Sequence, residues 1–495
     1  MTSRSCLLAL AVLIIDIASC ARAPVALVPP HFDPIQQLTQ DIVSATESPG
    51  VLRASWGIVV HSLDRDERIF ELNPSTLLVP ASVAKLVSLA GAVDAVGWNF
   101  RFETIVRAAG PIVDGTLNGD LIIVGSGDPT IGGRAGQALS VLVDAVEAQG
   151  VHHIDGRIIG NDDAGEEPRP QLAWAWDDLG YTSGSLFGAL NLEENRMTVT
   201  VNPALSLSER PTLSVAPSDS SRPLRNRTTT GTADSSFLVW PEQRPGEPFL
   251  TIAGSVPVGA PPAQLSVSTG NPTFWFASKL RHALLERGIE ITGQAIDIDD
   301  VANRPEWLTS TVLYAHRSPT LAEITQPLLK DSMNLYGEAV LKLNADRGVF
   351  PTNDAALDGL RTRLTAWGIQ PDAWQIIDGS GLSRRNAIAT ETLLSVLQRM
   401  YDPTWMSPWM TGMPVAGRDG TLAGRMQDTP AENNLRAKTG TMSNIRSLAG
   451  YVRTLDGETL AFALIADSFE GSGREAAQVI DRIAVRLANF TRVRD

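Results

Sequence analysis

The apolar segment that begins at Pro80 and ends before Gly97 is the sequence feature that most constrains the fold. A proline before a run of small and apolar residues, and a glycine after it, are helix start and stop signals. A helix that is apolar on all sides has to be buried in a core. Its start carries a Ser-x-x-Lys pattern, which places Ser82 and Lys85 on one face of the helix. The segment therefore predicts a buried helix whose first turn presents a hydroxyl beside an amine.

The Ser-x-x-Lys pattern occurs once in this chain. There are five lysines, and only Lys85 has a serine three positions before it. A serine near a helix N-terminus also experiences the positive end of the helix dipole, which favours a developing alkoxide. The alternative interpretation of this segment alone is a plain core helix with Ser82 and Lys85 as its polar first turn.

Composition limits the classes of partner. The chain has 495 residues, 43% of them hydrophobic and 19% charged, which is typical of a globular protein with room for two or more domains. The net charge of −14 argues against nucleic acid or an anionic lipid surface as the main partner. After the N-terminal leader, no stretch approaches the ~18 apolar residues that a membrane span requires.

Residues 1–20 have the pattern of a secretory leader, because Arg4 supplies positive charge before the short apolar run Leu7–Ile17. The leader ends in Ile-Ala-Ser-Cys, which resembles a bacterial lipobox and would make Cys20 the lipidated first residue of the mature chain. Ordinary cleavage near Ala21–Ala23 is the alternative. We therefore expect export to the periplasm, with a membrane tether if Cys20 carries a lipid. The other cysteine, Cys6, lies in the leader, so no internal disulfide is expected in the mature chain.

The pattern of elements predicts a domain that is split by an insertion. Strands are indicated over Trp56–Leu63 and Arg68–Leu72, and again over Leu448–Arg453 and Thr459–Ala466, the last two joined by an Asp-Gly turn. Helical patterns flank these strands, so one sheet built from both ends of the chain is expected. The expected divisions are a signal peptide (1–20), a linker (21–35), a first catalytic segment (36–102), an inserted mostly β region (103–311) and a second catalytic segment (312–495).

Two further motifs follow the Ser-x-x-Lys segment. Ser332-Met333-Asn334 lies in the stretch 320–345, whose pattern indicates a helix. Lys438-Thr439-Gly440-Thr441 comes shortly before the strand predicted near residue 448. The ordered set Ser-x-x-Lys, Ser-x-Asn and Lys-Thr-Gly is the signature of penicillin-binding proteins and class A β-lactamases. Each motif alone is weak evidence, but three in this order and structural context are specific.

The residue types fit acyl transfer through a serine nucleophile. A hydroxyl needs an adjacent base, and Lys85 can act as one for Ser82 if burial and a second cation, Lys438, lower its pKa. Ser332 can relay a proton to the leaving amine, and Asn334 can hold Lys85 and the substrate amide.

The expected substrate-binding residues lie on the edge of a strand. Lys438 and Thr439 can bind a substrate carboxylate, and Gly440 would keep the strand edge open for a substrate to lie alongside it. The backbone N–H groups of Ser82 and Thr441 are the expected oxyanion-hole donors.

With these motifs the chain resembles the low-molecular-mass class C penicillin-binding proteins. These are D-alanyl-D-alanine carboxypeptidase/endopeptidases of the penicillin-binding protein 4 type, peptidase family S13. The resemblance covers nearly the whole mature chain. Other segments that carry it are Leu78–Ser82, Phe100–Phe102, Gly119–Leu121, Gly125–Thr130, Ala189–Asn191 with Glu194 and Asn195, Asp378–Arg384 and Pro414–Leu422.

The resemblance implies an α/β sandwich of the penicillin-binding protein/serine β-lactamase type, with a large mostly β insertion that forms two smaller domains. It implies hydrolysis of D-Ala-D-Ala stems and D-Ala cross-links of peptidoglycan through an acyl-enzyme on Ser82, and inhibition by β-lactams. It implies no metal and no organic cofactor. Met333 departs from the family, which usually has Asp or Asn there, but this middle residue is not expected to do chemistry.

Other classes of protein fit less well. A β-lactamase needs a carboxylate that holds the deacylating water, and the sequence shows no obvious glutamate loop for it. A catalytically silent wall-binding protein would usually have lost one of the motif residues, and all are present. The six histidines show no metal-ligand spacing, and no Gly-x-Ser-x-Gly elbow indicates an α/β-hydrolase.

Overall fold

A computed structural model gives the fold. The structure describes residues 33–218, 222–244, 246–346 and 351–493. The predicted leader, with Cys6 and Cys20, lies outside these residues. The first helix begins at Pro34, within the linker predicted over 21–35, because the Asp33 carboxylate accepts the Ile35 N–H and proline suits the first helical position.

The N-terminal region supplies two helices and a hairpin, with a short 3-10 turn over Ala81–Val83. These elements are α1 (Pro34–Thr46), β1 (Ser55–Ser62), β2 (Glu67–Leu72) and α2 (Ala84–Val96).

The middle of the chain is mostly β, and its described part contains two α-helices. Its first elements are β3 (Glu103–Ala109), β4 (Ile112–Val113), β5 (Thr116–Leu117), β6 (Asp120–Val124), α3 (Ser140–Glu147), β7 (His153–Ile154), β8 (Ile158–Asn161), β9 (Arg196–Asn202) and β10 (Thr212–Val215). There follow β11 (Leu224–Gly231), β12 (Leu238–Glu242), β13 (Leu250–Pro257), β14 (Ala263–Ser268), α4 (Pro272–Glu286), β15 (Glu290–Ile291), β16 (Ala295–Asp297) and β17 (Thr311–Arg317).

The C-terminal region returns to helices and then completes the sheet. Its elements are α5 (Leu321–Leu329), α6 (Asn334–Lys342), α7 (Asn353–Ala366), β18 (Trp374–Gln375), β19 (Ala387–Ile388), α8 (Thr390–Met400), α9 (Met406–Gly412), β20 (Arg436–Met442), β21 (Ile445–Arg453), β22 (Thr459–Asp467) and α10 (Gly473–Ala488).

One antiparallel sheet joins the two ends of the chain. Its strand order is β2-β1-β22-β21-β20, so the hairpin of residues 55–72 pairs directly with the strands of residues 436–467. Val59 of β1 lies opposite Ala463 of β22. The predicted α/β sandwich with a sheet built from both ends is confirmed.

The two faces of the sheet support two separate cores. Successive residues in a strand point to opposite faces. Val59 and Ala463 therefore pack with helices α2 and α5–α9, while Ile58 and Leu464 pack with α1 and α10. Residues Ala84–Val93 of α2 are all buried, as an apolar helix between a sheet and other helices has to be.

Within its described residues, the insertion contains four sheets of its own. Their strand orders are β16-β8-β6-β3-β17, β15-β7-β5-β4, β10-β9-β14 and β11-β13-β12. Strand β17 pairs with β3, so this sheet extends to Arg317, beyond the boundary predicted at residue 311. The division of the insertion into two smaller domains stays a prediction.

Among the helices that the structure describes, none has both the length and the apolar character to cross a membrane.

The central strand of the split sheet predicts where the domain is most sensitive to substitution. Leu464 on β22 is fully buried, whereas Leu455 between β21 and β22 is 60% exposed. We expect Leu464→Ala to lower the free energy of unfolding by about 2–5 kcal/mol, because it leaves a cavity in a packed core. Leu455→Ala should change it by less than about 0.5 kcal/mol. Urea unfolding followed by tryptophan fluorescence measures both, and equal midpoints would contradict this picture of the core.

Candidate active site

A cavity of about 340 Å³ lies where the Ala81–Val83 turn, the α5–α6 loop and the edge strand β20 meet. Residues of the insertion close one side. The lining comprises Ser82, Asp178, Ser183, Ser332, Asn334, Gly381, Leu382, Arg384, Thr421, Thr439, Thr441, Met442 and Ser443. All three sequence motifs thus contribute to one cavity.

Ser82 lies on the 3-10 turn just before α2, rather than on the α-helix itself. The preceding residue, Ala81, has a left-handed backbone with φ of 51°, which is strained for alanine. The turn is held by a 2.7 Å hydrogen bond from the Ser447 hydroxyl to the Pro80 carbonyl. A Cβ at Gly381 would lie 2.1 Å from the Ala81 carbonyl oxygen, so glycine is required there.

Lys85 is fully buried directly behind Ser82. Its Nζ lies 3.0 Å from Ser82 Oγ. It also donates to Asn334 Oδ1 at 2.8 Å and to the Ser380 carbonyl oxygen at 2.5 Å. The last two oxygens can only accept, so they fix two N–H bonds of the amine and leave its third position facing the serine hydroxyl.

Burial lowers the pKa of Lys85 to about 7, because the charged form loses its hydration. The buried carboxylates of Asp378 and Glu338 act in the opposite direction and raise it. The sequence predicts that burial and the charge of Lys438 together lower this pKa. Burial is the dominant cause in the structure, and the two carboxylates limit the shift.

A second hydroxyl–amine pair belongs to the same site. The Lys438 amine donates to Ser332 Oγ at 2.8 Å and to the Thr439 carbonyl at 2.7 Å. Lys438 is fully buried, and burial together with the charge of Lys85 holds its pKa well below the usual value. Lys438 does not itself line the cavity, so it acts from behind Ser332 and Thr439.

Ser332 does not lie on a helix, contrary to the prediction of one helical stretch over 320–345. Helix α5 ends at Leu329 and α6 begins at Asn334. Between them the Met333 N–H turns back to the Pro327 carbonyl, and Ser332 adopts a left-handed φ of 58°. The break lets Ser332 and Asn334 project toward different lysines.

The Lys-Thr-Gly motif lies within the edge strand β20. The Thr439 hydroxyl donates to Thr421 Oγ1 at 2.7 Å, and both threonines line the cavity together with Thr441. Gly440 is buried and is absent from the lining. A Cβ there would lie 2.0 Å from Ser447 Oγ and 2.7 Å from the Pro80 carbonyl, so glycine lets β20 approach the turn that carries Ser82.

The turn over Asp378–Ser383 holds the carbonyl that contacts Lys85. Buried Asp378 accepts the Gly381 and Ser383 N–H groups and the Asn386 amide. It also accepts the Trp174 indole N–H from the insertion at 2.6 Å. The sequence indicates this segment only through the family resemblance. The atom of Ser380 that contacts Lys85 is a backbone carbonyl oxygen, which every residue has.

Glu338 supports the same turn from helix α6. Its carboxylate accepts the N–H groups of Ser380 at 2.9 Å and Gly379 at 3.3 Å. Burial, and next the charge of Asp378, raise the pKa of Glu338 to about 7. The turn is therefore fixed by two buried carboxyl groups.

The insertion reaches the cavity through contacts that the sequence did not predict. The Asn334 amide donates to the Ser183 carbonyl at 2.8 Å. Asp178 and Arg384 place opposite charges in the lining, and the charge of Arg384 partly offsets the burial that raises the pKa of Asp178. No motif indicated Asp178 or Ser183, since only the fold brings them beside residue 334.

The side chains that could ligate a metal lie outside this cavity. Within the described part of the chain, one group of three acidic side chains could hold a cation: Asp162, Glu167 and Asp299. None of them lines the cavity.

Comparisons with known proteins agree over nearly the whole chain. The model of the D-Ala-D-Ala carboxypeptidase 3 (S13) family matches residues 38–490. A D-alanyl-D-alanine carboxypeptidase of Actinomadura sp. (strain R39) is 30% identical over 469 residues, covering 92% of this chain and 85% of the relative.

Solved structures show the same fold. Penicillin-binding protein 4 (dacB) from Haemophilus influenzae matches with a TM-score of 0.77 at 24% identity, covering 92% of this chain and 98% of that one. A structure of the same protein complexed with a β-lactam matches with a TM-score of 0.70 at 23% identity, covering 91% and 98%.

The fold and these relatives define a serine peptidase with the penicillin-binding protein architecture. The chain belongs to the D-Ala-D-Ala carboxypeptidase 3 (S13) family. The family predicted from the motifs is confirmed.

The contact between Trp174 and Asp378 predicts that the insertion affects catalysis. Trp174→Phe removes a hydrogen bond to a buried carboxylate and should loosen the turn that presents the Ser380 carbonyl. Hydrogen bonds to charged groups contribute about 1.5–3 kcal/mol, so we expect about a tenfold or greater loss in the rate of D-Ala release from a D-Ala-D-Ala peptide. Trp176→Phe, at a side chain of the same loop that is 53% exposed, is the matched control. An unchanged rate in Trp174→Phe would contradict this role.

Proposed function

We propose that Ser82 attacks the carbonyl carbon of the D-Ala-D-Ala peptide bond and that Lys85 is its base. The distance of 3.0 Å between Lys85 Nζ and Ser82 Oγ carries this proposal. With its pKa near 7, Lys85 has a substantial uncharged fraction at neutral pH. In that form its lone pair points at the Ser82 hydroxyl, because Asn334 and Ser380 occupy both N–H bonds.

The acylation step follows from this geometry. The Ser82 oxygen bonds to the carbonyl carbon while its proton moves to Lys85. The tetrahedral oxyanion then forms within reach of the Ser82 and Thr441 backbone N–H groups, which are the proposed oxyanion hole. Both residues line the cavity.

Collapse of the tetrahedral intermediate needs a proton on the leaving nitrogen. Ser332 accepts an N–H from Lys438, so its own hydroxyl hydrogen is free to pass to the nitrogen of the departing D-Ala. Lys438 replaces that hydrogen through the same contact, and the proton that Lys85 took from Ser82 makes up for the one that Lys438 gives away. The C–N bond breaks and an ester on Ser82 remains. Water then hydrolyses the ester, which restores the Ser82 hydroxyl and releases the shortened stem.

Substrate binding falls to the edge strand β20. Thr439 and Thr441 line the cavity and offer hydroxyls to the terminal carboxylate, and a carboxylate bound there would favour the protonated form of the Lys438 amine behind them. Gly440 acts by letting β20 come close, rather than by contact with substrate. The Asn334 side chain holds Lys85 and marks where the substrate amide would lie.

The same site would cleave D-Ala cross-links and would be acylated by β-lactams. A β-lactam occupies the complex of the Haemophilus influenzae relative, whose fold this chain shares. Because peptidoglycan lies outside the cytoplasm, a protein that acts on its stems has to be exported. This agrees with the leader and the lipobox-like Cys20 expected from the sequence. A lipid on Cys20 would tether it to the membrane.

Two other functions remain as outcomes of the test. Within the described residues, the carboxylate that lines the cavity is Asp178, and a β-lactamase would have to hold its deacylating water there. A silent wall-binding protein would not need the three contacts that orient the Lys85 amine.

Labelling with a fluorescent penicillin tests the nucleophile. The wild-type protein should form a persistent covalent adduct, and Ser82→Ala should form none. Ser407→Ala, at an exposed serine on α9, is the control and should label like the wild type. Equal labelling of Ser82→Ala would overturn the assignment. Rapid hydrolysis of the antibiotic without a persistent adduct would point to the β-lactamase instead.

Two peptide substrates separate the finer activities. Release of D-Ala from a pentapeptide stem reports the carboxypeptidase, and cleavage of a cross-linked muropeptide dimer reports the endopeptidase. We expect both activities, and both should disappear in Ser82→Ala. Cleavage of the pentapeptide alone would restrict the function to carboxypeptidase.

The lowered pKa of Lys85 predicts the pH dependence of acylation. Because the uncharged amine is the base, its active fraction rises as pH increases through about 7. The second-order rate constant for acylation by penicillin should climb roughly tenfold per pH unit below that value and level off above it. Stopped-flow measurements in buffers of constant ionic strength test this. A rate that falls with rising pH in this range would exclude Lys85 as the base.

A further inference from the structure

Three carboxylates converge on one side of the insertion, away from the catalytic cavity. Asp162 and Glu167 lie in the loop that follows β8, and Asp299 lies in the 3-10 turn Ile298–Asp300. One oxygen from each lies within 4.8 Å of the others. The two segments are far apart in the chain, so the fold alone creates the cluster.

Asp162 gives the second, independent observation. It is 1% exposed, and its Oδ2 accepts the Thr273 hydroxyl. Its other oxygen, Oδ1, is buried and has no hydrogen-bond partner among the residues that the structure describes. A buried carboxylate oxygen without a partner is unfavourable, and a bound ion or water is an ordinary way to satisfy one.

The charges around the cluster are unbalanced. Arg304 pairs with Asp299 and Asp163, and Asn271 donates to Asp297. Asp297 and Asp299 face Asp162, and all three of these carboxylates face Glu167, so like charges repel within the cluster. A bound cation would relieve this repulsion and would also give Asp162 Oδ1 a partner.

We propose that Asp162, Glu167 and Asp299 bind a divalent cation, with Ca²⁺ as the best fit. Carboxylate oxygens are the ligands that hard cations prefer. Ca²⁺–oxygen distances of about 2.3–2.6 Å place ligands on opposite sides of the ion about 5 Å apart, close to the observed spread. Glu167 and Asp299 are exposed, so water can complete the coordination shell. Histidine spacing could not indicate such a site, because all its ligands are carboxylates.

A cation bound to the loop after β8 would stabilise a segment that contacts the catalytic domain. Glu166 accepts the Lys342 amine at 3.0 Å and the Asn353 N–H at 2.9 Å, so the loop contacts the catalytic domain beside Glu167. Further along, Trp174 reaches Asp378. A cation between Glu167 and Asp299 would fix the start of this loop. The later part of the same loop, at Trp174, supports the Asp378–Ser383 turn.

Calorimetric titration of the chelator-treated full chain with CaCl₂ tests the site. We expect saturable binding with a dissociation constant of about 0.1–1 mM, the range of extracellular Ca²⁺ modules, and weaker binding of Mg²⁺. Glu167→Gln and Asp299→Asn should weaken Ca²⁺ binding at least about tenfold. Asp300→Asn, at an exposed carboxylate of the same turn outside the group, is the matched control and should bind like the wild type.

Thermal unfolding supplies a readout that does not depend on Ser82. Ca²⁺ should raise the unfolding midpoint of the wild type and of Asp300→Asn, but not that of Glu167→Gln, because a ligand stabilises only the state it binds. Absence of saturable binding up to about 10 mM would overturn the proposal. So would equal Ca²⁺ binding by Glu167→Gln and the wild type, since the ion would then lie elsewhere.

Discussion

The burial of two lysine side chains beside each other is the constraint on which the rest of the site depends. Lys85 and Lys438 are both fully buried, and both donate to oxygen acceptors within hydrogen-bond distance. A buried ammonium loses hydration, so such lysines lose charge unless acceptors and carboxylates compensate. One lysine comes from the core helix α2 and the other from the edge strand β20, so the packing of this helix against the split sheet brings the two together.

The insertion is a structural component of the active site rather than an appendage to it. Its Ser183 carbonyl takes the amide hydrogen of Asn334, and its Trp174 indole bonds to Asp378. Arg134 bonds to Glu194 within the insertion and to Asp331, the residue before Ser332. The Ser-x-Asn motif and the turn behind Lys85 are thus both supported by residues from the middle of the chain. Through these contacts the insertion packs against the part of the split domain that carries the Ser-x-Asn motif and the Asp378–Ser383 turn.

Features of the candidate site that depend on side chains could be predicted from the sequence, whereas features that depend on backbone atoms could not. Helix α2, the split sheet and the three motifs could be predicted, because periodicity and residue type report them. The Ser380 carbonyl could not, since any residue has one. Ser332 has a left-handed φ, which interrupts the helix although the sequence pattern there is continuously helical. Gly440 allows close packing of β20 against the Ser82 turn, and this contact can be recognised only in the folded structure. Cys20 lies outside the described residues, so its lipidation stays a prediction.

The basicity of Lys85 reflects a balance rather than burial alone. Burial lowers its pKa, and the charges of Asp378 and Glu338 raise it back to about 7. A general base works best when its pKa lies near the working pH, because a lower value would make it too weak and a higher one would keep it protonated. The same two carboxyl groups hold the turn that aims the Ser380 carbonyl at Lys85. The groups that orient the amine therefore also set how readily it gives up its proton, and geometry and basicity cannot be varied independently in this site.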